Sequence, residues 1–356
     1  MRASAWRWLP LAAIAVLAGC QSVGYVAHVA HGHAELLAAR EDIDTLVADP
    51  STPESLRRDL TVLREARRFA VATLGLPDNR SYTRFVQLDR PVVTWAVFAA
   101  PEFSVDPLLH CFPIAGCVPY KGYFRRELAE REAARLQRDG LQTHIGGVGA
   151  YSTLGWFADP LLSTMLEPGL DAAVSTLFHE LAHQRAYAPG DAAFNESYAV
   201  FVEAEGMRAW RQLQGWPAPD AAAAGRARAF TSSVLALRER LARLYASGLD
   251  PARMRAVVQA EHIAFRAAHR RLRQTPEWAA DRRFDGVVDG PLDNARLVPF
   301  GLYDGHVAAF RGLFHQLDGD WERFHAAVEA LAALPRDQRW ERLLAHDADA
   351  GPVSGR

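Results

Sequence analysis

The segment Ser-Thr-Leu-Phe-His-Glu-Leu-Ala-His-Gln, residues 175–184, decides the architecture around it. Its residues mostly favour a helix, and on a helix His179 and His183 project from one face about one turn apart. Glu180 points to the side of that face. Two histidines in this arrangement bind zinc, and a glutamate in this position addresses a water molecule beside the metal without ligating it.

The residues around the motif predict that this helix is buried. They are apolar: Val174, Leu177, Phe178, Leu181 and Ala182. Burying two histidines and a glutamate is costly unless they have a ligand or partners. The alternative is a pair of hydrogen-bonded core histidines beside a surface glutamate. The burial argument favours a metal, and we predict Zn²⁺ as the cofactor.

A catalytic zinc usually has three protein ligands, and a second predicted helix supplies candidates for the third. If this helix folds back at residues 189–190, the metal lies level with Tyr198. Glu196 is then about 3 Å from that level along the helix axis, and Glu203 about 7.5 Å. This spacing predicts Glu196 as the third ligand and Glu203 as a partner of a ligating histidine. The remaining candidate, Glu205, lies further away.

The second helix also carries a family signature, Phe194-Asn-Glu-Ser-Tyr-Ala-Val-Phe-Val-Glu203. Here the chain resembles the gluzincin metallopeptidases, in which His-Glu-x-x-His is followed by a helix bearing Asn-Glu. The resemblance implies a zincin-like pair of active-site helices. It implies that His179, His183 and Glu196 bind zinc and that Glu180 is the general base.

The N-terminus has the three-part form of a secretory signal, with Arg2 and Arg7, an apolar run over residues 8–17, and Leu17-Ala-Gly-Cys20. The run is about half the length of a membrane-spanning helix. The final tetrapeptide resembles the lipobox of bacterial lipoproteins, which implies a signal peptide over residues 1–19 and acylation of Cys20. A plain signal peptide is the alternative. Gln21 implies the periplasmic face of the outer membrane.

Two further cysteines, Cys111 and Cys117, lie six positions apart in a turn-rich segment. In an oxidising compartment such a pair forms a local disulfide, and we predict one here. The alternative is two reduced, buried thiols.

The remaining pattern predicts an α+β fold. Residues 23–80 read as a helical element, with helices over 23–47 and 53–74. Residues 82–170 contain strand-like segments that suggest one small mixed sheet, with strands over 82–103 and 141–151 and a crossover helix. Residues 171–340 read as almost wholly helical and contain the zinc site, so residues 20–356 form one metallopeptidase body without a clear linker.

Charge composition bears on possible partners. The chain has 40 basic and 42 acidic residues, so no cationic excess is present to bind nucleic acid. The expected partners are a peptide substrate and, through Cys20, a membrane.

Taken over its length, the chain resembles a family of bacterial lipoproteins classed as aminopeptidases. Besides the lipobox and the zinc motif, the resemblance rests on the segments at 111–124, 150–157 and 159–163 and covers most of residues 15–335. It implies the removal of N-terminal residues from peptides. The Gly-Ala-Met-Glu-Asn motif, with which one large group of zinc aminopeptidases captures the α-amine, is absent. A zinc endopeptidase therefore stays open as an alternative.

Catalysis of peptide hydrolysis needs a donor for the developing oxyanion. Tyr303 is the first candidate, and Tyr198 and His306 are the next. The other interpretation of Tyr303 is an aromatic ring packed in the core. The strand that ends at residues 149–152 is a candidate platform for extended substrate. A non-catalytic, zinc-stabilised interaction lipoprotein is the rival to an enzyme, but an intact Glu180 argues against it.

Overall fold

Most of the chain is helical in the computed structural model, which describes residues 9–112, 116–303 and 306–346, with side chains for 23–112, 116–301 and 306–346. The helices are α1 (Leu9–Ala38), α2 (Ile43–Ala48), α3 (Glu54–Ala72), α4 (Arg126–Arg138), α5 (Ser163–Leu166), α6 (Leu170–Arg185), α7 (Ala192–Gln214), α8 (Ala221–Tyr245), α9 (Pro251–Leu272), α10 (Asp285–Asp289), α11 (Asn294–Leu297), α12 (Phe300–Tyr303), α13 (Val307–Gln316), α14 (Trp321–Ala332) and α15 (Arg336–Leu344).

Aspartate side chains begin several of these helices. An N-cap carboxylate accepts hydrogen bonds from backbone N–H groups that have no partner inside the helix. Asp191 does this for α7, Asp220 for α8, Asp250 for α9 and Asp320 for α14. At the other end of α7, Gly215 adopts the left-handed conformation that closes a helix, with φ at 63°.

The strands are short and form three small sheets. They are β1 (Glu41–Asp42), β2 (Arg84–Val86), β3 (Thr94–Pro101), β4 (His110–Phe112), β5 (Gly116–Val118), β6 (Tyr120–Tyr123), β7 (Leu141–Val148) and β8 (Leu161–Leu162). The first sheet has the order β1-β2-β8 and is mixed, the second has the order β6-β3-β7 and is antiparallel, and the third pairs β4 with β5. Helix α4 connects β6 to β7 and packs on the second sheet.

The largest hydrophobic cluster surrounds the helix pair α6 and α7. Phe178 of α6 and Trp210 of α7 are fully buried there, and Phe310 and Phe324 come from α13 and α14. A smaller cluster lies between α8 and α9 and contains Phe230. Burial of this kind supplies most of the stability of helices, because helix propensity alone is weak.

The α+β class with a mostly helical C-terminal half is confirmed, and two details differ from the sequence prediction. The strands divide among three sheets instead of one. The single helix predicted over 23–47 ends at Ala38 and restarts as α2, because Arg40 bonds the carbonyls of Leu37 and Ala158 and Asp42 caps the new helix.

No helix in the described part of the chain has both the length and the apolar character needed to cross a membrane. Residues 1–8 and the side chain of Cys20 lie outside what the structure describes, so the signal peptide and the acylation site stay predictions.

A buried histidine joins α7, α14 and the segment after α3. The ring of His325 is fully buried, its Nε2 lies 2.7 Å from the carbonyl oxygen of Leu74, and its Nδ1 lies 2.8 Å from the hydroxyl of Tyr198. The neutral ring satisfies both contacts, because Nε2–H donates to the carbonyl and Nδ1 accepts from the hydroxyl. Burial lowers the pKa of His325 to about 4.

This histidine predicts a loss of stability in acid. The unfolded chain binds a proton at residue 325 near its ordinary pKa of about 6.5, whereas the folded chain does so only near 4. The contribution, about 3 kcal/mol, is therefore complete above pH 6.5 and is lost as the pH falls towards 4. We expect the urea midpoint of His325→Gln to fall less between pH 7 and pH 4.5 than that of the unaltered chain. The exposed His31→Gln is the control, and an equal fall in all three would contradict the prediction.

Candidate metal centre

The site is built on two helices that run back along each other. Helix α6 carries His179, Glu180 and His183, and α7 carries Glu196 and Glu203. Residues that contact each other lie at similar distances from the connecting turn. Ser175 of α6 bonds Glu203 of α7, and Asp171, further from the turn, bonds Arg211. The helices are therefore antiparallel.

Asn195 fixes the turn between the two helices. Its side-chain oxygen accepts a hydrogen bond from the N–H of Ala188 at 2.7 Å, and its side-chain nitrogen donates to the carbonyl of the same residue at 2.9 Å. Asp191, which caps α7, is buried and also accepts from Arg339 at 2.6 Å and Trp340 at 3.0 Å. These bonds determine the level at which Glu196 faces α6.

Three side chains converge on one point. The Nε2 atoms of His179 and His183 are 3.1 Å apart, and Oε2 of Glu196 lies 3.3 Å from the first and 3.7 Å from the second. In a tetrahedral zinc site with bonds of about 2.0–2.1 Å, ligand atoms are separated by about 3.3 Å. Among the described residues, these three form a group able to hold a metal ion.

An orphaned polar atom shows that the group suits a cation. Oε2 of Glu196 is buried and accepts no hydrogen bond within the described part of the chain. A buried carboxylate oxygen without a hydrogen bond is costly, and a metal ion at this point would satisfy it. Two imidazoles and one carboxylate are also a donor set that zinc uses in catalytic sites.

Glu203 orients one of the histidines. Its Oε2 lies 3.0 Å from Nδ1 of His179, and its other oxygen accepts from the hydroxyl of Ser175. The bond places a proton on Nδ1 and leaves Nε2 free to ligate a metal. Glu203 is thus placed as the partner of a candidate ligand histidine, and Glu196 is the candidate for the third ligand.

The charges in this cluster influence one another strongly. Burial acts to raise the pKa of Glu196, but the neighbouring His183 and His179 lower it to about 2. Burial disfavours the charged form of His179, but Glu196 and Glu203 raise its pKa to about 10. Burial raises the pKa of Glu180, so this carboxylate holds a proton more readily than an exposed glutamate.

Two cavities meet at the metal ligands. One, of about 320 Å³, extends towards His183, and the other, of about 490 Å³, extends towards Thr176. Both are lined by His179 and Glu180. The cleft therefore passes Glu180 and continues along α6 in both directions.

A sequence model of the family described as "Putative aminopeptidase" matches residues 24–343 of the chain. The chain belongs to this family. No curated protein and no solved structure matches it. Membership supports a peptidase function for the site.

In this aminopeptidase-family chain, the structure supports none of the three residues expected as oxyanion donors. The side chain of Tyr303 lies outside the described residues, so that prediction is untested. The prediction of Tyr198 as a donor was wrong, because this residue is fully buried and hydrogen-bonded to His325. His306 packs against Trp340, with ring centroids 4.3 Å apart, and does not line either cavity.

Tyr120 is the site residue that the sequence gave no reason to select. It begins β6, lines the smaller cavity together with all three metal-ligand candidates, and is 37% exposed. Desolvation and the charges of Glu196 and Glu180 raise its pKa above its ordinary value. Its hydroxyl therefore keeps its proton and can donate a hydrogen bond.

The predicted substrate platform lies at the cleft, but it is shorter as a strand. Strand β7 ends at Val148, and residues 149–152 follow it without strand structure because only residues up to 148 pair with β3. Ala150 and Tyr151 still line the cavity beside the metal ligands.

The two cysteines lie in a hairpin above the turn between α6 and α7. A disulfide joins Cys111 to Cys117 across β4 and β5. Gly116, with φ at 72°, approaches the backbone of Gly190 so closely that a Cβ at Gly116 would lie 2.3 Å from the Gly190 nitrogen. Only glycine meets both requirements at this position.

Metal content distinguishes the two glutamates of α7. We expect Glu196→Ala to lose most of its bound zinc, because it removes a ligand. Glu203→Ala should keep zinc with affinity weakened about 10- to 100-fold, because it removes only the partner of His179. Zinc is measured by elemental analysis and by competition with a chelator. Glu205→Ala, which alters an exposed ion pair with Arg208, is the control. Loss of zinc in the Glu203 variant and retention in the Glu196 variant would reverse the assignment.

Proposed function

We propose that this protein is a zinc-dependent peptidase. The observation that carries the proposal is the position of Glu180: it is adjacent to a two-histidine, one-glutamate triad and lines both cavities that meet there. A purely structural zinc site has no use for a carboxylate at an open cleft, and it more often closes the coordination sphere with a fourth side chain.

Each residue of the site has a separate role in the proposed reaction. His179, His183 and Glu196 hold the metal, which when bound supplies Lewis-acid chemistry for activating water and polarising the scissile carbonyl. Glu180 takes a proton from the attacking water and passes it to the leaving amine. Its raised pKa suits the first step, because a base with more proton affinity accepts the proton more readily.

Tyr120 is our candidate for the second oxyanion donor. Its side chain lines the same cavity as Glu180 and Glu196, and its hydroxyl stays protonated. A donor aimed at the developing negative charge contributes more in the transition state than in the ground state, which is what accelerates the reaction.

The mode of cleavage follows from the family, and we propose an aminopeptidase. Endopeptidase activity is the second candidate, and the cleft gives the specific reason. Both ends of the cleft continue past Glu180, so an extended chain has room on each side of the scissile bond. In addition, the carboxylates among the described lining residues are Glu180, Glu196 and Glu203. All three already have proposed roles at the metal centre, so none is left to bind the α-amine of a substrate.

We further propose that the protein is attached to the bacterial envelope, at the periplasmic face of the outer membrane, through an acylated Cys20. The lipobox supports this placement. The disulfide between Cys111 and Cys117 is the kind of bond that persists in that oxidising compartment.

Replacing the general base tests the mechanism. Glu180→Gln should keep zinc and lose peptide hydrolysis by at least about 100-fold, because the amide preserves the shape of the side chain but cannot take a proton. Hydrolysis of a fluorogenic peptide and zinc content are measured on the same preparation. Near-normal turnover in the zinc-loaded variant would contradict the mechanism.

Blocking the substrate's amine separates the two modes of cleavage. As an aminopeptidase, the protein should cleave peptides with a free N-terminus and resist the matched N-acetylated peptides. The comparison is made as kcat/KM for each pair, with Glu180→Gln as the blank. Equal cleavage of both members of a pair would assign the protein as an endopeptidase.

A further inference from the structure

The smaller cavity at the metal centre has an aromatic wall. Besides Tyr120 and Tyr187, four rings from different parts of the chain line it: Tyr25, Phe112, Phe124 and Tyr151. They come from α1, from the disulfide hairpin, from the residue after β6 and from the segment after β7. No single segment of sequence therefore encodes this wall.

The rings are held in contact with one another. The centroids of Tyr25 and Phe112 are 6.0 Å apart, and those of Phe124 and Tyr151 are 5.2 Å apart. His28 of α1 accepts the backbone N–H of Phe124 at 3.0 Å, which ties the helix to the end of β6. Aromatic pairs at these separations stabilise each other beyond simple burial.

Two glycines allow the close contacts that hold the wall in place. A Cβ at Gly32 of α1 would lie 2.2 Å from the ring of Phe124, so the helix reaches that ring only because the side chain is absent. Gly116 allows the same kind of approach between the hairpin and Gly190, in the turn that leads to α7. The aromatic wall is thus packed against α1 at Gly32, and its hairpin against the turn before α7 at Gly190.

The cavity offers little charge to a substrate side chain. Among the described residues that line it, the carboxylates are Glu180 and Glu196, and none is lysine or arginine. A charged side chain placed here would lose its hydration without a counter-ion, whereas an apolar one gains by leaving water.

We propose that this aromatic wall is a specificity subsite that accepts a large uncharged side chain, aromatic or aliphatic, next to the scissile bond. The proposal rests on the peptidase function proposed above and names the class of substrate. The N-terminal helix and the disulfide hairpin, both far from the zinc motif in sequence, then determine which residue is preferred.

The test compares kcat/KM for peptides that differ in one residue beside the cleaved bond: phenylalanine, leucine, alanine, aspartate or lysine, varied on either side. We expect phenylalanine and leucine to exceed alanine at least about tenfold at one of the two positions, and aspartate and lysine to fall below alanine. Hydrolysis without any such preference would overturn the subsite while leaving the peptidase function intact.

Variants locate the preference on the wall. Phe112→Ala and Tyr25→Ala should each reduce the ratio of phenylalanine to alanine peptides about 5-fold or more, and Phe112→Leu should restore much of it. The matched controls are Leu109→Ala, directly before β4, and Val23→Ala, on α1; both positions are exposed, and these variants should keep the ratio. Zinc content and circular dichroism verify that each variant is folded. An unchanged ratio in the folded Phe112 and Tyr25 variants would contradict the assignment.

A binding measurement keeps the subsite testable if no peptide is hydrolysed, which would count against the proposed function itself. Calorimetric titration of the full chain with phenylalaninamide, alaninamide and lysinamide compares side chains on identical backbones. Tighter binding of phenylalaninamide, lost in Phe112→Ala, supports the subsite. Equal binding of all three overturns it.

Discussion

Two hydrogen bonds between the side chain of Asn195 and the backbone of Ala188 hold the register of α6 against α7. The metal centre depends on that register. Successive residues of a helix are rotated by about 100°, so a slip of one position would turn Glu196 away from the two Nε2 atoms. It would also break the contact between Glu203 and His179, which fixes the ligating nitrogen. The Asn-Glu pair therefore works as a unit, with one residue positioning the turn and the next facing the two histidines.

The walls of the cleft depend on a second kind of contact, the close approach of another segment to a glycine. Gly32 brings α1 onto Phe124, and Gly116 brings the disulfide hairpin onto the turn before α7. The first contact connects the N-terminal helix to a ring that lines the cavity at the candidate metal site. Tyr25 lies five residues after Cys20, about 7.5 Å along the helix. If Cys20 carries the proposed lipid, the attachment point and one wall of the cleft lie on the same helix.

The cluster of charges at the centre is balanced within itself. Three glutamates and two histidines are packed where burial penalises isolated charge, and the structure compensates by pairing each ligand with an opposite partner. Glu180 is the exception, because burial raises its pKa and the charges of His179 and His183 do not offset the rise. A carboxylate of this kind, at the meeting point of two cavities, is where proton transfer is expected.

The sequence determined what is local. Helical spacing placed His179 and His183 on one face, predicted the boundaries of α7 and indicated a mostly helical C-terminal half, because helix periodicity and capping depend on neighbouring residues. The fold-back argument even ranked Glu196 above Glu203, since a short turn leaves two helices few ways to pair. Tertiary structure alone decided which tyrosine faces the cleft, how the strands divide among three sheets and which rings line the subsite. Several of those features join residues more than 70 positions apart, such as Tyr25 with Phe112 and Tyr120 with Glu196, and no local periodicity records a contact between distant segments.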